Sequence, residues 1–294
     1  MFTGLFIDSL IISPYVEHAK SELVWDIAAG PSEYFSPNVL SELHYNDVKH
    51  TGLGIHLAQL KPIANNLAFY SELRYSDTNI SSGRSQDSDY LADNREAEFS
   101  RSYADIKNNG NNNLSISLGL KKRWFDVSGH YFTAMIGYQN TNFDLTATNG
   151  VQAIPDELNG DVFPGLESTY NSDFNSLSFS LSTEHVFQWG TVGLRLDRYD
   201  IEFEAVADWN LRDDLAHPKS FFHSGNGKGD SFTLEYSYQL TINWDTFLNF
   251  KRLRYKIKNG YDQTFFADGA SYVTTLNRLS YESDQFNFGI RYIF

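Results

Sequence analysis

Two groups of side chains in this sequence have the types and spacing to do chemistry. Asp87 and Asp89 stand at i and i+2, with Asp93 close behind. In extended chain such a pair projects to one side, where two carboxylates share a proton or hold a water. The second group is Asp213, Asp214 and His217, followed by His223. A carboxylate beside a histidine orients the imidazole and raises its basicity, as a general base requires. These four are also of metal-ligating types, although their spacing matches no zinc signature, and no resident metal or cofactor is expected. Acidic, Asn-rich segments are as a rule simply solvated, and that reading stands beside the chemical one at both places. No nucleophile elbow or phosphate-binding glycine loop is present.

The elements that must position these residues show most clearly at the end of the chain. Phe286, Phe288, Ile290, Tyr292 and Phe294 alternate with Gln285, Asn287, Gly289 and Arg291. This period of two marks a strand with one apolar and one polar face. A terminal Phe closing such a strand resembles the end signal of outer-membrane barrels. The same alternation recurs in Leu114 to Leu120, Phe132 to Tyr138, Leu177 to Leu181, Phe232 to Leu240 and Leu53 to Leu57. The polar partners are small and neutral, as a narrow barrel interior requires. Among longer polar residues, Lys121, Glu235, Arg291 and Glu72 suggest a plugged, salt-bridged lumen. His56 reads as lumen-facing, and His185 lies near a short turn.

Strands are expected near 5–17, 38–60, 64–77, 111–124, 130–146, 173–187, 190–208, 230–241, 244–258 and 280–294. The links at Lys61–Ile63, Phe125–Gly129, Gln188–Trp189 and Ile242–Asn243 are short. The links at 18–37, 78–110, 147–172, 209–229 and 259–279 are long and rich in Asp, Asn, Gly and Ser. Short periplasmic turns alternating with long outer loops is the pattern of a transmembrane barrel. An even strand count puts both termini on the short-turn side. Splitting 18–60 further would give twelve strands instead of ten and keep that parity. The stretch Ser21–Ile27 has strand-like residues and reads as a hairpin standing above the membrane. The fold class is therefore all-β: one closed antiparallel transmembrane β-barrel, residues 1–294, with no linker or second domain in view.

Composition agrees. Aromatic residues make up 16% of the chain, and such residues favour strands. The mean hydropathy of −0.41 and the absence of long apolar runs exclude membrane helices but not a barrel, whose strands are only half apolar. A net charge of −14 speaks against nucleic acid, whose phosphates demand a basic face. With no Cys, disulfide frameworks and thiolate metal sites are excluded. No basic segment followed by a long apolar stretch opens the chain, which is neutral for an exported protein whose signal peptide is removed.

With these residues in view, the chain resembles the omptins, the ten-stranded outer-membrane proteases, over nearly its whole length. The likeness is carried by Leu40 to Tyr45 with Gly52 to Gly54, by Asp87, Ser88, Asp89 and Tyr90, by Gly137 to Gln139 with Phe143 and Thr146 to Gly150, and by Gly289 to Phe294. In omptins an Asp pair faces an Asp-x-His pair across a groove, and the four activate a water that attacks a peptide bond. The resemblance implies that Asp87 and Asp89 are the first pair. For the second, the nearest residues are Asp214 and His217, which are three apart where the pattern has two. Omptins also bind lipopolysaccharide on the outer barrel face; here Asn140 and Asn142 stand where that pattern has Glu and Arg. The last strand also resembles autotransporter translocator barrels.

Three functions stay open. The first is an outer-membrane barrel that displays acidic loops at the cell surface and binds or anchors a partner there. The second is an omptin-like endoprotease using Asp87, Asp89, Asp214 and His217. The third is an autotransporter-like barrel or small pore. The expected partners are outer-membrane lipid and lipopolysaccharide, with a surface protein or basic peptide at the loops.

Overall fold

A computed structural model describes residues 8–29, 37–107, 110–124 and 129–294. The described residues form twelve strands: β1 Ser9–Ile27, β2 Ser41–Ala64, β3 Leu67–Ala92, β4 Glu96–Lys107, β5 Asn111–Arg123, β6 His130–Ile154, β7 Val162–Phe163, β8 Ser168–Phe187, β9 Gly190–Asp208, β10 Phe221–Gln239, β11 Trp244–Phe265 and β12 Ser271–Ile293. All pairings are antiparallel, and β1 pairs with β12, which closes the ring. β4 and β5 form one column: β4 fills its upper half and β5 its lower half between β3 and β6. β7 pairs only with β6, off the ring. The ring therefore has ten columns.

β3 has 26 residues, roughly 85 Å of strand at about 3.3 Å per residue. A membrane strand needs only about 9–11. The surplus rises as a sleeve, and this is where the sequence reading differs from the structure. Strand extends far into the stretches expected as loops, over 18–27, 78–92 with 96–107, 147–154 with 168–172, 221–229, and 259–265 with 271–279. The connections between the sleeve strands are short, such as 209–220 and 266–270, and Leu215 bridges to Phe266 between these two. Ser21–Ile27 is indeed strand above the belt. At the other end, the β2–β3 turn falls at Asn65–Asn66, so Lys61–Ile63 lies within β2. The Gln188–Trp189 turn stands as expected. Most of the Phe125–Gly129 link lies outside the described residues, as do the first residues of the 5–17 strand.

The cause of the difference is a reversal of polarity along each strand. In β1 the outward residues run Leu10, Ile12, Pro14, Val16 and then His18, Lys20, Glu22. The inward ones run Ser13, Glu17, Ser21 and then Leu23, Trp25, Ile27. The lower half faces lipid outside and a polar lumen inside. The upper half faces water outside and a dry core inside, as in a soluble barrel. Phe286, Phe288, Ile290 and Leu118 are all exposed in the lower belt, at 44–59%. Ile290→Arg, placing a charge within this belt, is expected to destabilise the folded barrel by about 2–4 kcal/mol, read from denaturant unfolding in lipid vesicles. Asn287→Ser, on the lumen side one pleat away, should change stability far less.

The interior is filled at both levels. Inside the sleeve, Trp25, Tyr45, Phe143, Tyr170, Phe174, Phe203, Tyr255 and Tyr281 form one buried cluster. Inside the belt, charges pair off. Arg291 Nη2 lies 2.6 Å from Glu235 Oε1, and Lys121 Nζ lies 2.6 Å from Glu184 Oε2. Glu72 meets His56, Arg74 and Arg195. The lumen charges singled out in the sequence are thus ion-paired.

Candidate functional site

At the top of the sleeve, β3 carries Asp87 and Asp89 toward the interior, and a double irregularity puts them there. On β2 the pairing slips between Asn46 and Lys49, where Asp47 has φ 52; on β3 Ser81 is the extra residue. A single extra residue flips every later side chain to the other face. Below it Glu72, Ser76 and Thr78 are buried; above it Ser85, Asp87 and Asp89 line a cavity. Asp87 is flanked by Leu43 on β2 and Ser102 on β4, and Asp89 by Ser41 and Ser100.

The cavity has a volume of about 370 Å³. Its apolar walls come from Leu43 and Tyr45, from Phe163 and Leu166, and from Trp209 and Leu211 on the segment after β9. Tyr45 also belongs to the aromatic cluster, so the cavity is blind toward the barrel. Arg212 completes the lining opposite the carboxylates. It is held in a two-pronged bond to Asp214, with Nε–Oδ1 at 2.8 Å and Nη2–Oδ2 at 2.7 Å. At the same height on the opposite face of the strands, Glu42 accepts from Arg95 at 2.6 Å and from Arg278 at 3.1 Å, while Asp26 accepts from Arg278 at 2.5 Å, tying β1, β2, the β3–β4 turn and β12 together. Burial alone would raise the Glu42 carboxyl, but hydrogen bonds from His44 and Arg95 hold it at about 2.

Burial, and next the charge of Asp89, push the Asp87 carboxyl up to about 8. Burial also raises Asp89. Asp87 Oδ1 is buried without a hydrogen-bond partner. The linkage has a definite sign. A carboxyl raised in the folded state stabilises most below its ordinary value, and that stability is lost as pH rises toward 8. Asp87→Asn keeps the neutral shape without titrating. Its stability relative to wild type is expected to grow from pH 5 to about pH 8 and then level off. Denaturant midpoints of both proteins across that range check this, and a constant difference would contradict it.

The other residues singled out in the sequence lie elsewhere. Asp214 points to Arg212, and its carboxyl is lowered by that bond. His217 Nδ1 lies 2.6 Å from Asp208 Oδ1, which raises the imidazole; neither of the two lines the cavity. His223 is buried on β10, with Nε2 2.8 Å from Asp262 Oδ1 and Nδ1 3.0 Å from Tyr170 Oη. Among the described residues no three His, Cys, Asp or Glu side chains converge as metal ligands, so Asp213, Asp214, His217 and His223 do not form one site. Arg212, Trp209 and Tyr45 are cavity residues that the sequence reading missed. The only available signal was the run Trp209 to Arg212, apolar residues and a cation within an otherwise acidic segment.

With this geometry in hand, comparison with known proteins is informative. The chain matches, over residues 17–294, the family described as Protochlamydia outer membrane protein. No curated protein matches it. Among solved structures it is similar to the outer membrane protease OmpT from Escherichia coli, at 15% identity and a TM-score of 0.75, covering 100% of this chain and 98% of that one. The translocator domain of the autotransporter NalP from Neisseria meningitidis is 10% identical at a TM-score of 0.37, covering 97% and 88%. OprG from Pseudomonas aeruginosa is 10% identical at a TM-score of 0.38, covering 99% and 98%. The likeness to OmpT, the omptin barrel, is one of fold. The matched family, the ring of lipid-facing strands and this shared architecture lead to one statement: the chain is an outer-membrane β-barrel and belongs to the Protochlamydia outer membrane protein family.

Proposed function

We propose that this barrel displays its sleeve at the cell surface and binds a cationic segment of a partner, such as a basic peptide, in the Asp87–Asp89 cavity. One observation carries this reading: two inward carboxyl groups stand in an aromatic-walled cavity, and Arg212, the cation that faces them, divides its charge between them and Asp214. A cation entering the cavity favours the ionised form of the Asp87 and Asp89 carboxyls, while its apolar neighbours meet Leu43 and Trp209. The test is titration of the folded protein with a dibasic peptide, read by Trp fluorescence and calorimetry. Binding that weakens at least about tenfold in Asp87→Asn/Asp89→Asn supports the reading, since a charge-assisted hydrogen bond contributes about 1.5–3 kcal/mol. Binding unchanged in that variant sinks it.

In this reading the short turns and both termini face the periplasm and the sleeve faces outward, with lipopolysaccharide as a lipid partner. Lys228 and Lys256 stand directly opposite each other on the outer face above the belt, with Arg254 and Arg198 nearby. Asp200 stands opposite Lys228 on β9, and Asp230 and Glu282 lie beside Arg198 and Arg254, so the patch is partly balanced; a lipopolysaccharide phosphate would meet the Lys228–Lys256 pair, whose like charges otherwise repel. Protease treatment of intact cells is expected to cut in 156–167, 209–220 or 266–270 and to spare Asn65–Asn66 and Gln188–Trp189. The reverse pattern would invert the orientation.

A second reading, peptide hydrolysis, is favoured by the adjacent inward carboxyls of Asp87 and Asp89, both raised by burial, which are suited to holding and activating a water. The same dibasic peptide tests it. Cleavage that is lost in Asp89→Ala and His217→Ala supports an omptin-like set of Asp87, Asp89, Asp214 and His217; binding without cleavage favours the first reading. The filled interior speaks against a conducting pore.

A further inference from the structure

A pair of histidines at the opposite end of the barrel has no part in this site. His130 opens β6 and His185 lies near the end of β8, and the two are direct cross-strand partners. Both share the outward face of their strands with the lipid-facing residues Phe132 and Phe187. Their Nδ1 atoms are 3.3 Å apart. Their rings are flanked by aromatic neighbours, His130 by Phe132 at 5.2 Å and His185 by Phe187 at 4.4 Å. Phe187 in turn stacks on Trp189 at 5.3 Å.

We infer that His130 and His185 bind one divalent transition cation of the zinc or copper class through their two Nδ1 atoms. The separation is the first argument. Zinc–imidazole bonds of about 2.0–2.1 Å in tetrahedral geometry place the two nitrogens about 3.3–3.4 Å apart. The observed 3.3 Å is that distance, so binding requires the nitrogens to turn toward a common point but not to separate. The proton balance is the second. Between two neutral imidazoles, one Nδ1 carries the hydrogen that the other accepts, and a metal must displace it. When that hydrogen is on His130 it moves to Nε2, which lies 2.9 Å from Thr183 Oγ1, an oxygen able to accept it. No net proton is lost, and once the metal is bound Thr183 accepts from His130 Nε2 and steadies the ring, the role an outer-shell partner plays in metal sites. The setting is the third. Glu184 is engaged by Lys121, so it does not compete, and the remaining positions on the metal are left to water. Imidazole suits zinc and copper rather than magnesium or calcium, and copper should bind the more tightly. The bound ion would fasten β6 to β8 beside the short Gln188–Trp189 turn.

The experiment uses the full chain without a histidine tag, folded in detergent and stripped with a chelator. Zinc and copper chlorides are titrated in by calorimetry, with copper quenching of Trp fluorescence as a second readout. One ion per chain is expected, with copper tighter than zinc and magnesium silent. His130→Asn and His185→Asn should each weaken binding at least about tenfold, and Thr183→Val about tenfold with the stoichiometry kept. Metal should also raise the unfolding midpoint of wild type but not of His185→Asn. Retained folding of each variant is read from heat-dependent gel mobility, and His185→Gln serves if His185→Asn does not fold. Absence of binding by wild type, or unchanged binding by His130→Asn/His185→Asn, overturns the proposal.

Discussion

Phe174→Ala is expected to lower the unfolding free energy by about 3–5 kcal/mol, the range for removing a fully buried aromatic ring. Phe174 is 0% exposed on β8. Its ring centroid lies 5.0 Å from Phe203, 5.4 Å from Tyr255 and 5.5 Å from Tyr281, at inclinations of 31–45°. The three neighbours sit on β9, β11 and β12, so the hole would open between strands from half the ring. Collapse into it is resisted by fixed hydroxyls: Tyr255 Oη accepts from Gln139 Nε2 at 3.1 Å, and Tyr281 Oη lies 3.3 Å from Ser21 Oγ. Tyr255 is also seated against Gly229, where any Cβ would come within 2.4 Å of its ring. Unfolding in guanidinium from detergent micelles measures the loss, and Phe174→Leu should recover most of it. If Phe174→Ala costs less than about 1 kcal/mol, the sleeve is not held by its aromatic interior but by backbone pairing alone.

That interior explains what the sequence revealed and what it hid. The belt was legible because lipid outside and small polar groups inside produce a strict alternation, as in Phe286 to Ile290 against Gln285 to Arg291. The sleeve obeys the same period with the faces exchanged. Its outward residues include Lys20 and Glu22, which read as solvated loop, and Asp173, Glu202 and Glu204, which lie at the upper ends of expected strands. The inward residues Leu23, Tyr199, Ile201 and Phe203 carry the strand signal, but a reader looking for lipid-facing alternation has no reason to assign them to the inside. Asp87 and Asp89 were legible as a pair because their spacing of two survives in any extended chain. Their partner was not. Arg212 reaches the cavity from a segment about 120 residues further on, a distance that only strand closure determines. The irregularity at Asp47 and Ser81, which turns the pair inward, leaves no mark in composition.

The other large effect is expected in the belt. Glu72→Gln should cost about 3–5 kcal/mol, the penalty for leaving buried charge without its partner. The Glu72 side chain is 2% exposed and meets three basic groups: Arg74 at 3.1 Å, His56 at 3.2 Å, and Arg195 in direct contact. Arg195 also binds Asp197 at 2.6 Å, and Asp197 accepts from Ser231 at 2.6 Å and from Ser180 at 2.5 Å, so the cluster crosses the lumen from β3 to β8, β9 and β10. Removing the one carboxylate shared by two guanidinium groups leaves positive charge enclosed at the depth where lipid surrounds the ring. The amide fills the same space, so a loss of this size would report charge and not packing. The double variant Glu72→Gln/Arg74→Gln removes the surplus cation as well, and it should be more stable than Glu72→Gln alone. Denaturant unfolding in vesicles distinguishes the outcomes. If the double variant is less stable than the single, Arg74 contributes through its own packing, and the lumen is not organised by charge balance around Glu72.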